Sequence, residues 1–104
     1  MNIAKMMKQA QKMQQQMAAA QEALADQTVE ATAGGGKVTV TANGAGDILS
    51  IKIDPAIVDP EDVEILEDLV LSGIKNASEK AKELAGAELG KVTGGMGMPP
   101  GLGL

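Results

Sequence analysis

Residues 28–54 read TVEATAGGGKVTVTANGAGDILSIKID, and this stretch decides the fold. In its first run Val29, Ala31 and Ala33 alternate with Thr28, Glu30 and Thr32. In the second, Val38, Val40 and Ala42 alternate with Lys37, Thr39 and Thr41; in the third, Leu49, Ile51 and Ile53 alternate with Ile48, Ser50 and Lys52. Period-two alternation rich in β-branched residues predicts strands with one apolar and one polar face. Gly34-Gly35-Gly36 and Asn43-Gly44-Ala45-Gly46 supply the two reversals, because tight turns draw on residues that tolerate positive φ. The stretch therefore predicts a three-stranded antiparallel meander. So small a sheet cannot cover its own apolar face, and needs flanking helices or a second copy of itself.

Toward the N-terminus, the residues from 2 to about 26 contain no Gly or Pro and are rich in Ala, Gln, Met, Lys and Glu, a composition of strong helix formers. Ile3, Met6, Ala10, Met13, Met17, Ala20 and Leu24 recur at spacings of 3 and 4, the seam of a helix that packs along its length on another helix. A seam so rich in Met reads as an adaptable packing stripe, or as an apolar groove that captures an amphipathic partner helix. Lys5, Lys8 and Lys12 fall within about 60° of one another, roughly 140° from the seam, at about 100° per residue. They read as a solvated polar face, or as a row that tracks phosphates.

Toward the C-terminus, Asp54-Pro55 and Asp59-Pro60 resemble two helix starts, with Asp as N-cap and Pro at the first helical position. The first predicts a short helical turn. The second opens a long helix from Pro60 to about Leu89, with Asp62 as a weak capping-box partner and Gly90 as a C-cap. Val63, Leu66, Leu69, Val70, Ile74, Ala77, Ala81, Leu84 and Ala85 form its apolar stripe. Lys75, Lys80 and Lys82 mingle with Glu79, Glu83 and Glu88, a pattern that fits intrahelical ion pairs as well as a binding face. Caps and helix-dipole complements account for the carboxylates from Asp54 to Asp62, whose spacing matches no calcium loop. The chain thus divides into a single α-β-β-β-α domain over 1–90 and a flexible Gly/Met/Pro tail over 91–104.

At 104 residues with no Phe, Tyr or Trp, the chain has a thin core for which oligomerisation is a natural remedy. It holds no Cys and no His, which removes thiol nucleophiles, imidazole or thiolate metal sites and Ser-His-Asp triads. Gly36-Lys37 lacks the leading Gly and the trailing Ser/Thr of a phosphate loop, and Gly44-Ala45-Gly46 has Leu49 where a dinucleotide motif needs a small residue. No enzymatic activity, cofactor or small-molecule substrate is expected. There is no secretory h-region or membrane-length apolar run, so a cytoplasmic location is expected. The net charge is −5, yet residues 1–21 carry three lysines and no acid, while residues 53–104 carry ten acids against four lysines. Such asymmetry points one end of the molecule at an anionic partner.

Several stretches together resemble the bacterial YbaB/EbfC family of nucleoid-associated proteins. They are Met6-Met7-Lys8-Gln9-Ala10-Gln11, Ala33-Gly34-Gly35-Gly36, Val40 through Gly44, Leu49-Ser50-Ile51-Lys52-Ile53-Asp54-Pro55, Asp59-Pro60-Glu61-Asp62 with Leu66-Glu67-Asp68-Leu69, Leu89-Gly90-Lys91-Val92-Thr93-Gly94-Gly95 and Pro99-Pro100-Gly101. The resemblance covers almost the whole chain. It implies an α+β homodimer joined through its sheets, with Val38, Val40, Leu49, Ile51 and Ile53 at the interface and paired long helices projecting as arms. It also implies a nucleoid protein that coats duplex DNA and changes its shape without chemistry. The resemblance implies DNA contacts on the long terminal helices, which here offer Lys5, Lys8, Lys12, Lys75, Lys80 and Lys82. All nine basic residues are lysines. Arginine is the residue that reads guanine bidentately and enters narrow minor grooves, so affinity here is expected to come from phosphate neutralisation, with little sequence preference.

Overall fold

The computed structural model describes residues 2–95, with side chains described as far as Lys91. The elements in chain order are α1 (Ile3–Asp26), β1 (Thr28–Ala33), β2 (Val38–Asn43), β3 (Ile48–Ile53), a 3₁₀ turn (Pro55–Ile57) and α2 (Val63–Gly95). This is the expected α+β order, an antiparallel meander between two long helices, with strand order β1-β2-β3. Gly34, Gly35 and Gly36 take φ of 63, 67 and 91° in the first reversal.

The register carries the expected alternation through β1 and β2. Ala31 sits opposite Val40, and Ala33 opposite Val38; Ala31, Val38, Val40 and Ala42 are buried, while Thr28, Glu30 and Thr32 are exposed on the other face. β3 departs from it. Ile53 pairs with Val38 and Ile51 with Val40, but a bulge then intervenes and Ile48, not Leu49, lies opposite Ala42. A bulge adds one residue to one strand and resets its parity, so Ile48 joins Ile51 and Ile53 on the apolar face and Leu49 is the extra residue.

α2 lies across β1 and β2 and only grazes β3. The close approach is made at Gly73: a Cβ there would come within 2.9 Å of Val40 Cγ2 and 3.3 Å of Val38 Cγ1. Ala77 and Ala81 continue that face one and two turns on, and with Ala31, Val38, Val40 and Ala42 they form the core. Small residues on the helix let it seat directly on the valines, the arrangement open to a chain without aromatics.

The ends of α2 differ from expectation. It begins at Val63 rather than Pro60, because Asp59 Oδ1 accepts from the Glu61 N–H at 3.0 Å and closes a turn of its own, as Asp does two residues back from a backbone donor. It also continues through Gly90 to Gly95. An interior glycine costs a helix about 0.5–1 kcal/mol without ending it. The rest of the expected tail lies outside the described residues.

α1 starts at Asn2, whose Oδ1 accepts from the Lys5 N–H at 3.1 Å, an N-cap bond. It reaches the sheet at Leu24, which is 3% exposed. There the Gly44 N–H is shared by the carbonyls of Leu24 and Gln27, both at 2.9 Å. Leu69 packs on Gly34 at one end of β2, and Leu24 on Gly44 at the other. α2 therefore starts at the first hairpin, crosses the sheet and leaves beside α1. The resulting body measures 71 × 26 × 16 Å with a radius of gyration of 19.5 Å, against about 13 Å for a compact domain of this length.

Candidate nucleic-acid interface

α1 carries the feature that matters most. Its seam is covered only near the sheet: Leu24 is buried and Met13, Met17 and Ala20 are half-buried, but Ile3 and Met6 are 67% and 57% exposed. The expected packing along the whole helix thus stops about halfway, and the N-terminal half projects as an arm. A helix rises 1.5 Å per residue, so Ile3 lies roughly 30 Å beyond Leu24.

Lys5, Lys8 and Lys12 stand together on this arm, bordering one shallow surface with Gln9, Gln11 and Gln15. Among the described residues none of their ammonium groups makes an ion pair or hydrogen bond to another side chain or carbonyl. Helix formers with uncharged, hydrogen-bonding side chains surround three free cations. Such a surface can meet a row of anions, and has no group suited to covalent chemistry.

The lysines of α2 are not part of this row. Asn76, next to Lys75, contacts the main chain of β1, and Lys80 Nζ donates to the Glu30 carbonyl at 2.8 Å. Lys75, Lys80 and Lys82 therefore belong to the segment of α2 that lies along the sheet, not to the arm, and the fourth, Lys91, lies 3.5 Å from Glu88. Lys80 is occupied there within the fold, whereas Lys75 and Lys82 are exposed and free of charge partners among the described residues. The hydrogen bond of Lys80 is one that sequence reading missed. Its only signal was position: Asn76 and Lys80 stand one turn apart at the margin of the Gly73-Ala77-Ala81 stripe.

Charge is sorted along the long axis. The acidic run Asp59, Glu61, Asp62, Glu64, Glu67 and Asp68 spans the turn before α2 and the first turns of that helix, at the Gly34 end of the sheet; the lysine row lies beyond the Gly44 end. On the meander, Lys37 Nζ is 3.3 Å from Asp54 Oδ2. The carboxyl of Asp54 is held below its ordinary value, first by the Ala56 N–H that it accepts and then by Lys37. This carboxylate caps the 3₁₀ turn. Among the described residues no three Asp or Glu side chains are placed to share a metal ion, and no helix is long and apolar enough to cross a membrane.

The residues expected at a dimer interface divide into two groups. Val38 and Val40 are fully buried beneath α2 within one chain and have no surface left for a partner, because the side of the sheet that they share with Ile51 and Ile53 is covered over β2. Leu49, Ile51 and Ile53, with Ile48, lie where α2 does not reach and stay 37–53% exposed. A hollow beside Met13 and Met17 is bordered by Ala10, Gln14, Ala18 and Gln21. All six residues belong to α1, so it is the surface of one helix and lacks the second wall of a helix-capturing groove.

Comparison with known proteins supplies an independent line. The model of the YbaB/EbfC DNA-binding family matches residues 1–96. A nucleoid-associated protein of Acetivibrio thermocellus is 54% identical over 101 residues, covering 97% of this chain and 89% of its own. One from Akkermansia muciniphila is 53% identical over 103 residues, covering 99% of each chain. The crystal structure of an uncharacterized Helicobacter pylori protein superposes with a TM-score of 0.74 at 21% identity, over 92% of this chain and 97% of that one, which establishes the shared fold.

Proposed function

Because the chain belongs to the YbaB/EbfC DNA-binding family, we propose that it binds duplex DNA as a homodimer through the lysines of its projecting helix, and shapes the DNA without reading its sequence. The family is one of nucleoid-associated DNA-binding proteins and not of enzymes. The carboxylates between Asp54 and Asp62 accordingly have structural work only. A place in the bacterial nucleoid, within the cytoplasm, follows from the same reading.

The observation that carries the proposal is the row Lys5, Lys8 and Lys12. Its ammonium groups are free and lie on an arm, at the opposite end of an elongated body from the acidic start of α2. The row covers about 10 Å of helix, roughly the axial length of three phosphates on one DNA strand. A lysine acts on phosphate as a point charge, without the bidentate geometry that reads a guanine. Aromatic side chains, on which single-stranded bases stack, are absent from the sequence. Duplex backbone is therefore the surface that this chemistry fits. Lys75 and Lys82 add positive charge nearer the sheet, and Lys37 and Lys52 on the meander contribute less.

The homodimer reading is supported by β3. Ile48, Ile51 and Ile53 continue the apolar face beyond the cover of α2, and a second copy offers the same surface in return. Two copies double the arm row to six lysines. The test replaces Lys5, Lys8 and Lys12 together with Gln, which keeps helix propensity and removes only charge. In a mobility-shift assay at equal salt this variant is expected to lose most of its duplex binding while keeping its fold and mass. A variant that shifts duplex as well as the wild type does overturns the proposal.

A further inference from the structure

An open sheet has two edges, and each offers unpaired main-chain groups to any strand that approaches. Here the edges are β1 and β3, and they are finished differently. The Asn43 N–H donates to the Asp47 carbonyl at 3.0 Å, on the β3 side. Along a strand these groups alternate sides, so Thr39 and Thr41, in step with Asn43, also bond toward β3. Their β1 partners, Thr32, Glu30 and Thr28, consequently turn their main-chain groups outward. By the same alternation Ile51 and Ile53, opposite Val40 and Val38, turn theirs outward from β3.

Two of the three outward carbonyls on β1 are already taken. Asn76 Nδ2 donates to Thr32 O at 3.1 Å, and Lys80 Nζ to Glu30 O at 2.8 Å. The spacing explains why one helix serves both: four residues of helix rise 6 Å, and two residues of strand about 6.6–6.8 Å. Both contacts are exposed to solvent, so neither is needed to satisfy a buried group. What they change is the access of another strand. Among the described residues no side chain makes a corresponding bond to the main chain of β3.

We propose that Asn76 and Lys80 lock the β1 edge against strand addition by a second copy of this chain, leaving β3 as the one edge open to it. With both edges open, each copy could accept two neighbours head to tail, and the sheet could grow without closing. The lock rests on the main-chain contacts alone and stands whether or not the lysine row binds DNA.

Two measurements test it. In the wild-type protein, trace amine acetylation read by mass spectrometry is expected to modify Lys80 roughly tenfold more slowly than Lys75 and Lys82, the protection of a hydrogen bond from a charged donor. Equal rates overturn the lock. Second, Asn76→Ala/Lys80→Ala is examined by light scattering over a range of protein concentration. Its mass is expected to climb with concentration while the wild-type mass stays constant. Adding Glu30→Pro, which removes an outward N–H at an edge position that tolerates proline, is expected to restore the wild-type mass. A folded double variant that keeps the wild-type mass, or growth that the proline leaves unchanged, overturns the proposal. Should the double variant fail to fold, the labelling rates on the wild type decide.

Discussion

Gly44 is where the two halves of the molecule meet, and one hydrogen atom in place of a side chain makes the meeting possible. A Cβ there would lie 2.7 Å from Leu24 Cδ2 and 2.8 Å from the Leu24 carbonyl oxygen. The leucine tip can rotate, but the carbonyl belongs to the last turns of α1 and already accepts from the Gly44 N–H. Gly44→Ala is therefore expected to destabilise the fold by about 1–3 kcal/mol, the range of overpacked positions; an unchanged urea midpoint would contradict this contact. Asp54 gives a pH-dependent counterpart. Its folded pKa is lowered from the ordinary 3.8, so its contribution is fully present above that value and is lost as pH falls through the lowered one. Asp54→Asn is expected to reduce stability near pH 7, with the difference from wild type fading as pH falls through the lowered pKa. A deficit that persists unchanged in acid would show that something other than the carboxylate charge is responsible.

At the scale of elements, periodicity marks which face of α1 is apolar but not how much of it meets a partner. The spacing of Ile3, Met6, Ala10, Met13, Met17, Ala20 and Leu24 is uniform, while burial rises only toward Leu24. Leu24→Ala is accordingly expected to cost about 2–4 kcal/mol and Met6→Ala less than about 0.5 kcal/mol, by denaturant unfolding. Comparable losses at the two positions would mean that the arm is packed. The meander was legible because two alternating strands and two glycine turns leave little other choice. The bulge in β3 was not, since Ile48 and Leu49 are adjacent and both apolar, and either can take the place opposite Ala42. The start of α2 was misread for a related reason: an Asp before Pro serves equally as a helix cap or as the acceptor of a tight turn, and local hydrogen bonding decides between them. For the site, the lysine row of α1 could be read from the angle between residues. The engagement of Lys80 could not, because its acceptor, Glu30, lies 50 residues away in the chain and its neighbours Glu79 and Glu83 suggest ion pairs instead.

The whole molecule is a short sheet with a long arm, carrying negative charge at one end and positive at the other. Neither property serves a solitary compact domain. The apolar surface left on β3 argues for a second copy, and it makes a prediction at this scale. Ile51 is 40% exposed in the single chain, so Ile51→Asp is expected to spoil association, sedimenting at the mass of one chain or aggregating. A wild-type protein that sediments as a stable, folded single chain at micromolar concentration would contradict the dimer. In a dimer the two arms present six lysines, and neutralising about six phosphates gives a log–log salt slope near −5. The most direct test of DNA binding by the lysine row is therefore the salt dependence of duplex binding, measured for the wild type and for the variant with Gln at positions 5, 8 and 12. A steep slope near −5 is expected for the wild type, similar on unrelated DNA sequences, and a much shallower one for the variant. Affinity that is indifferent to salt, or a variant with the wild-type slope, would contradict it.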